Sequence, residues 1–212
     1  MQILERTLAD LTAEARALAA GPRRILGITG PPGAGKSTLA AALASALGPE
    51  LAVVVSMDGF HLANRILGQL GRQTRKGAID TFDDGGYAAL LCRLKRQEPG
   101  DPVIYAPEFD RTLEEPIGSA VPVRPDVPLV ITEGNYLLQD SGSWPEARKQ
   151  LDAVWYLSLA EPVRMQRLAA RHAAFGKSPE EARRWAQGSD QMNADLVAAR
   201  AHTADAVLKL TP

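Results

Sequence analysis

Gly30-Pro31-Pro32-Gly33-Ala34-Gly35-Lys36-Ser37-Thr38 carries the spacing G-x-x-x-x-G-K-[ST], and its reading decides the fold. Glycines at these positions let the backbone close into a nest whose N–H groups point at one spot. A helix starting directly after the nest adds positive potential at the same spot. Both features suit phosphate oxygens. Lys36 is spaced to reach a β- and a γ-phosphate, and Ser37 to ligate Mg²⁺. The flanks supply the context such a turn needs. Residues 23–29 (RRILGIT) suit a buried strand, STLAAALASAL reads as a helix stopped by Gly48-Pro49, and residues 51–56 (LAVVVS) suit a second buried strand. Strand, loop, helix and strand in that order open a parallel sheet.

Outward from this unit, Leu4, Leu8, Leu11, Ala15 and Leu18 recur at helical spacing, so residues 1–20 are expected to form an amphipathic helix stopped by Gly21-Pro22. Residues 64–71 and 87–97 read as helices and 71–86 as a glycine-rich loop; the proline-rich residues 101–128 favour short strands and turns. Apolar runs at 129–132, 153–159 and 206–210 read as further strands. Residues 162–175 and 179–203 read as helices, each with proline in its first turn. The expected architecture is α/β: a P-loop NTPase three-layer sandwich, a mostly parallel sheet with helices on both faces and a small helical lid. All 212 residues form one domain, with 60–126 as an acceptor-binding insert and 162–203 as lid and C-terminal helices.

The balance of 24 Lys+Arg against 25 Asp+Glu argues against a nucleic-acid partner held by phosphate contacts. The single cysteine, Cys92, cannot form an intrachain disulfide and sits in an apolar helical run, which points to packing. No window approaches the ~18 apolar residues of a membrane span. The N-terminus lacks a signal-peptide pattern, so the expected location is the cytoplasm. A homodimer stays open, since no interface stripe stands out.

Among nucleotide-binding classes, the sequence lacks Asn-Lys-x-Asp, the guanine-reading motif, and lacks an LSGGQ-like signature. Asp58, in Ser56-Met57-Asp58-Gly59-Phe60-His61, falls just past the second strand, where strand ends line the ligand crevice. There it is placed to accept a proton from an attacking hydroxyl. Glu133 ends the strand LVITE, where a carboxylate can hold Mg²⁺. The nucleotide site is thus residues Gly30 to Thr38, the metal residues are Ser37 and Glu133, and the cofactors are ATP and Mg²⁺.

GPPGAGKST, SMDGFHL, RKGAIDTFD, PEFDR and TEGNYLL together resemble the phosphoribulokinase, uridine kinase and pantothenate kinase group of P-loop kinases, from residue 23 to the C-terminus. Within the group they look most like bacterial proteins described as nucleoside/nucleotide kinase-like or as fructose transport-system kinases. The resemblance implies transfer of the γ-phosphoryl group of ATP to a hydroxyl of a sugar, nucleoside or pantothenate-like metabolite. It places the general base on Asp58 and an acceptor-handling segment on Arg75-Lys76-Gly77. A proline-to-aspartate motif near the acceptor falls on Pro107-Glu108-Phe109-Asp110-Arg111, and the strand-end carboxylate on Glu133. A basic lid helix falls on Arg164, Arg167 and Arg171. Lys36, Asp58, Arg167 and Arg171 form the catalytic set. His61, Arg75, Lys76, Phe109, Asp110, Arg111 and Tyr136 form the substrate side. Thr81-Phe82-Asp83-Asp84 stands where uridine kinases carry Asp-His-Pro, a departure that weakens a uridine or cytidine specificity.

Some roles have two readings. Arg164, Arg167 and Arg171 share one helical face, with Met165 and Leu168 elsewhere, as a phosphate-covering lid or a solvated basic face. His61 serves either a substrate hydrogen bond or packing. Asp110 and Arg111 bind substrate hydroxyls or pair internally. Arg183-Arg184 read as surface charge, and Trp144, Trp155 and Trp185 as packing residues. Alternatives to a small-molecule kinase are a regulatory ATP-binding protein with slow hydrolysis and a nucleoside monophosphate kinase.

Overall fold

The apolar runs flanking the glycine-rich turn become strands of a six-stranded parallel sheet in the computed structural model, which describes residues 2–174 and 178–211. In chain order the elements are β1 (Ile3–Arg6), α1 (Leu8–Leu18), β2 (Arg24–Thr29), α2 (Lys36–Leu47), β3 (Ala52–Ser56), α3 (Asn64–Gln69), α4 (Asp84–Arg96), β4 (Ile104–Asp110), β5 (Glu115–Val123) and β6 (Leu129–Glu133). Then follow α5 (Trp144–Arg148), β7 (Ala153–Leu157), α6 (Glu161–Ala174), α7 (Pro179–Gln187), α8 (Ser189–Ala198) and β8 (Ala206–Leu210). The strand order is β1-β8-β7-β2-β6-β3, with all neighbours parallel, and β4 and β5 form a separate antiparallel ribbon.

Side chains alternate across the central strands, and both faces are apolar, as a sheet covered on both sides requires. Ile25, Val130 and Val154 point to a core shared with Tyr87, Leu91, Tyr136 and Trp144. Leu26, Ile28, Leu129 and Ile131 point the other way, to Leu11, Leu39 and Leu43 of α1 and α2. Three layers result, matching the expected sandwich. Cys92 is half-buried on α4, as its packing role requires.

The ends of the chain correct the sequence reading. Residues 1–20 are not one helix: Ile3–Arg6 is a strand, paired in register with Val207–Leu210 of β8. The helix begins only after Thr7, whose side chain and Asp10 form a capping box. That Thr-x-x-Asp signal marks the true start, while Leu4 matches helical spacing by coincidence. The long C-terminal helix is also broken. Gly188, at φ −94° and ψ −101°, separates α7 from α8, and Ala201–Thr203 is a 3₁₀ turn. Helix α4 starts three residues earlier than its apolar pattern, because the Asp83 side chain caps the N–H of Gly86. Within residues 60–126, α4 carries Tyr87, Leu91 and Leu94 into the main core. Phe175, the expected end of α6, and the side chain of Arg183 lie outside the described residues.

Candidate active site

Parallel strands put their C-terminal ends on one edge, and β2, β6 and β3 lie side by side there. Beyond β2 the chain enters the glycine-rich turn. Gly35 caps α2 in the left-handed region at φ +96°, so a side chain would be strained there. Gly33, at φ +83°, lies so close to α6 that a Cβ would come 2.8 Å from Leu168 Cγ. Pro31, Pro32 and Ala34 are buried in the same turn, while Ser37 and Thr38 open onto the cleft. Lys36 is buried, and its Nζ donates to the Pro31 carbonyl at 3.1 Å. Burial pulls its ammonium down to about 8, against the opposing pull of Glu133 and Asp58.

Glu133 ends β6, in register with Ile28 on one side and Ser56 on the other. It is buried, and Ser56 Oγ donates to its Oε1 at 2.6 Å. Burial first, and then the Asp58 charge, push its carboxyl upward, opposed by Lys36 and by hydrogen bonds from Ser56 and Ser37. A Mg²⁺ ion takes one or two carboxylates and completes its shell with water and phosphate oxygens. A hydroxyl at the start of α2 with a buried carboxylate on the next strand is a donor set of that kind, so Ser37 and Glu133 fit the ion.

Asp58 lies in the 3₁₀ turn Met57–Phe60 after β3. Ser56 Oγ also accepts the Asp58 N–H at 3.1 Å, so one hydroxyl links both carboxylate residues. A Cβ on Gly59 would come 2.5 Å from the Pro107 carbonyl, which shows how closely β4 packs on this turn. From the β4–β5 turn, Arg111 Nη2 donates to Asp58 Oδ2 at 3.1 Å. Of the two readings for Arg111, the internal ion pair is therefore present.

The substrate-side residues divide into those that face the crevice and those that hold it. His61 packs between Phe82 and Phe109, at 4.1 and 4.8 Å between ring centres, and its Nδ1 lies 2.8 Å from the Asp58 carbonyl. A carbonyl only accepts, so Nδ1 carries the proton; burial lowers the ring's pKa. His61 is thus a packed residue here. Lys76 Nζ lies 5.0 Å from the centre of the Phe109 ring and Arg111 5.8 Å from it. Arg75 pairs with Asp80 at 2.5 Å on the surface, together with Arg72. Two others make contacts that hold the frame of the site. Asp110 Oδ1 accepts the N–H groups of Thr112 and Leu113, so it shapes the hairpin turn. Tyr136 has no exposed surface; its hydroxyl donates to the Gly77 carbonyl at 2.6 Å, so it supports the 75–77 segment from beneath.

A cleft of about 590 Å³ runs from Gly33–Thr38 outward and is lined by the exposed Arg167 and Arg171, by Arg111 and by Ser158. A Cβ on Gly35 would lie 3.6 Å from Arg167 Nη1, so that guanidinium overhangs the turn. Arg164 is not a lid arginine in this sense. It is buried beside Leu168, with Nη2 against Gln191 of α8 and Nη1 without a hydrogen-bond partner. Residues i and i+4 share a helical face, so the inner stripe of α6 is Arg164 and Leu168.

Sequence reading missed several contributors. Leu8 and Leu210 reach the cleft from opposite ends of the chain, brought together by the β1–β8 pair. Ser56 gave no signal beyond its place before Asp58. Asn64, which accepts from Lys76 Nζ at 2.7 Å, sits in a helix with no motif.

Known proteins resemble this chain in shape and sequence. The family model "ATPase family associated with various cellular activities (AAA)" matches residues 26–115, which include the glycine-rich turn. A Schizosaccharomyces pombe protein provisionally named a uridine kinase (C227.14) is 34% identical over 197 residues, covering 88% of this chain and 83% of that protein. The crystal structure of a protein from Silicibacter sp. TM1040, provisionally named a fructose transport system kinase, superposes with a TM-score of 0.84 at 37% identity, over 98% of this chain and all of that one. YFH7 of Saccharomyces cerevisiae superposes with the same TM-score, 0.84, at 18% identity over 98% of this chain, a likeness of fold. No helix among the described residues is long and apolar enough to cross a membrane. With a relative so similar over so much of both chains, and the glycine-rich turn, Glu133 and Asp58 on one sheet edge, the chain belongs to the P-loop kinase family of uridine kinase-like proteins.

Proposed function

We propose that this protein is an ATP- and Mg²⁺-dependent kinase that transfers the γ-phosphoryl group to a hydroxyl of a small metabolite. The observation that carries the reading is the convergence of Lys36 and Ser37, Glu133 and Asp58 at the ends of three adjacent strands. Phosphoryl transfer needs little covalent chemistry from the protein and much positioning and charge stabilisation. The backbone N–H groups of residues 33–38 and the start of α2 receive phosphate oxygens, and Lys36 adds a nearly desolvated cation. Ser37 and Glu133 would hold Mg²⁺, which would screen phosphate charge. Asp58 orients the acceptor hydroxyl and takes its proton on a carboxylate oxygen. Arg167 and Arg171, on the outer face of α6, neutralise charge gathering on the transferred group.

ADP release from ATP and Mg²⁺, measured against sugars including fructose, nucleosides, nucleoside monophosphates and pantothenate, tests this reading. Stimulation by one acceptor is the expected result. Asp58→Asn should retain ATP binding and lose about 10²–10⁴-fold in turnover, the usual contribution of a positioned base. ADP release that needs no acceptor and survives Asp58→Asn would make the protein a slow ATPase of the regulatory kind.

A further inference from the structure

The kinase reading leaves the acceptor unnamed, and the surroundings of Asp58 restrict it. Asp58 is held by a cation: Arg111 Nη2 donates to Oδ2 at 3.1 Å, and both side chains keep solvent exposure, 47% for Arg111 and 27% for Asp58. The contact uses one of the five N–H donors of the guanidinium, so the rest of the fork remains for a second oxyanion. A hydroxyl delivered to Asp58 therefore arrives beside a guanidinium with donors to spare.

A second cation stands at the same ring. Lys76 and Arg111 both lie over Phe109, at 5.0 and 5.8 Å from its centre. The Lys76 ammonium donates to the Asn64 side-chain carbonyl and the Glu114 backbone carbonyl, both uncharged oxygens. The nearby Glu115 carboxylate is occupied by the Asn64 backbone N–H, at 3.0 Å to each oxygen. Two cations thus flank the half-buried Phe109 ring next to the proposed base, Arg111 paired with Asp58 and Lys76 within the field of Glu114 and Glu115.

Most aromatic rings around this site are engaged with other side chains. Phe109 is flanked by His61, Lys76 and Arg111. His61 is stacked on Phe82 as well, and Tyr87, Tyr136 and Trp144 are buried in contact with one another or with Phe82. Stacking recognition needs an open ring face, and charged recognition needs free N–H donors. Arg111 supplies such donors beside Asp58.

We infer that the acceptor is a small hydroxylated anion, whose carboxylate or phosphate is held by Arg111 and Lys76 while its hydroxyl rests on Asp58. This inference rests on the kinase reading above. Because Arg111 touches Asp58 directly, the anionic group and the reactive hydroxyl must be only a few bonds apart. Without the cations an anionic acceptor would be repelled by Asp58 and Glu133; with them the same negative edge disfavours misplacement.

Matched acceptors test the inference: glycerol, glycerate and glycerol phosphate in one series, fructose, gluconate and fructose phosphates in another, with a nucleoside as the neutral aromatic case. ADP formation should show kcat/KM at least about 10-fold higher for an anionic member than for its neutral partner. The carboxylate and phosphate arms tell which anion is preferred. Arg111→Gln and Lys76→Gln should each raise the acceptor KM by about 10-fold or more. Arg111→Lys, which keeps charge and loses the fork, should recover part of that loss. Neutral acceptors used as well as anionic ones, or charge-neutral variants with unchanged acceptor KM, would overturn the inference and leave the kinase reading intact. Failure of every acceptor to stimulate ADP formation would overturn both.

Discussion

The nucleotide side and the acceptor side of this crevice are built by different means. On the nucleotide side, one continuous stretch, residues 30–38, folds its own backbone into the binding surface, and the strand β2 and helix α2 that hold it are its direct neighbours in sequence. On the acceptor side, single side chains arrive from β3, α3, the 72–82 segment and the β4–β5 turn, and hydrogen bonds between those segments hold them in place. Backbone sites of the first kind depend on glycine and chain direction. Side-chain sites of the second kind depend on which segments the topology happens to bring together. The first should therefore break all at once, and the second piece by piece.

The largest effect belongs to the nucleotide side. Lys36→Met removes the one buried cation of the turn, and turnover should fall by about 10²–10³-fold, or about 3–4 kcal/mol of transition-state stabilisation. Thermal stability at pH 7 should not fall with it, because burial disfavours the ammonium in the folded chain. A Lys36→Met protein that melts well below the native one would show the lysine to be a structural prop. Gly59→Ala probes the other side at its tightest point. The added methyl would sit 2.5 Å from the Pro107 carbonyl and must push β4 away, at a cost of about 1–3 kcal/mol. Acceptor kcat/KM should drop about 10-fold while ATP affinity holds. Equal losses in ATP and acceptor binding would mean that the two halves are not separable.

This division also explains what could be read from the sequence. The strand–turn–helix unit, Glu133 and Asp58 were legible because each depends on local pattern: an apolar run that ends in a polar residue at a strand terminus. The β1 strand was not, because its four residues, with Leu4 at helical spacing, become a strand only when β8 closes beside them. Arg164 and Arg167 lie three residues apart and read alike, yet one is buried against α8 and the other overhangs the glycine-rich turn. Their difference is fixed by where α8 packs, which depends on the break at Gly188. The Asp58–Arg111 pair spans 53 residues and has no local signature.

A smaller effect separates the two sides by pH. Burial lowers the His61 pKa below its ordinary 6.5; Asp58 opposes this, while Lys76 and Arg111 reinforce it. Below 6.5 the unfolded chain therefore binds more protons at this position than the folded chain does. The stability His61 contributes is present above that value and is lost as the pH falls beneath it. The drop in melting temperature between pH 7 and pH 5 should shrink in His61→Gln. An unchanged drop would assign the acid sensitivity to other groups and remove His61 as the titrating prop of the acceptor side.

The smallest effect is the most specific. Tyr136→Phe deletes one hydroxyl from a buried ring, and that hydroxyl donates to the Gly77 carbonyl at 2.6 Å. Asn193 Nδ2, at 3.4 Å, is left as a weaker donor to the same oxygen. The expected loss of stability is about 0.5–1.5 kcal/mol, the net worth of one such bond. Gly77 sits in the left-handed region at φ +96° directly after Lys76, so loosening it loosens the lysine. The acceptor KM should then rise about 2–5-fold, as about 1 kcal/mol dictates. The turnover number should hold, because Asp58 is fixed through Ser56 and the packing of Gly59 on β4, whereas the deleted hydroxyl bonds Gly77. A fall in turnover at constant KM would reverse the assignment: the 75–77 segment would act through Asp58, and the acceptor side would be one mechanical unit after all.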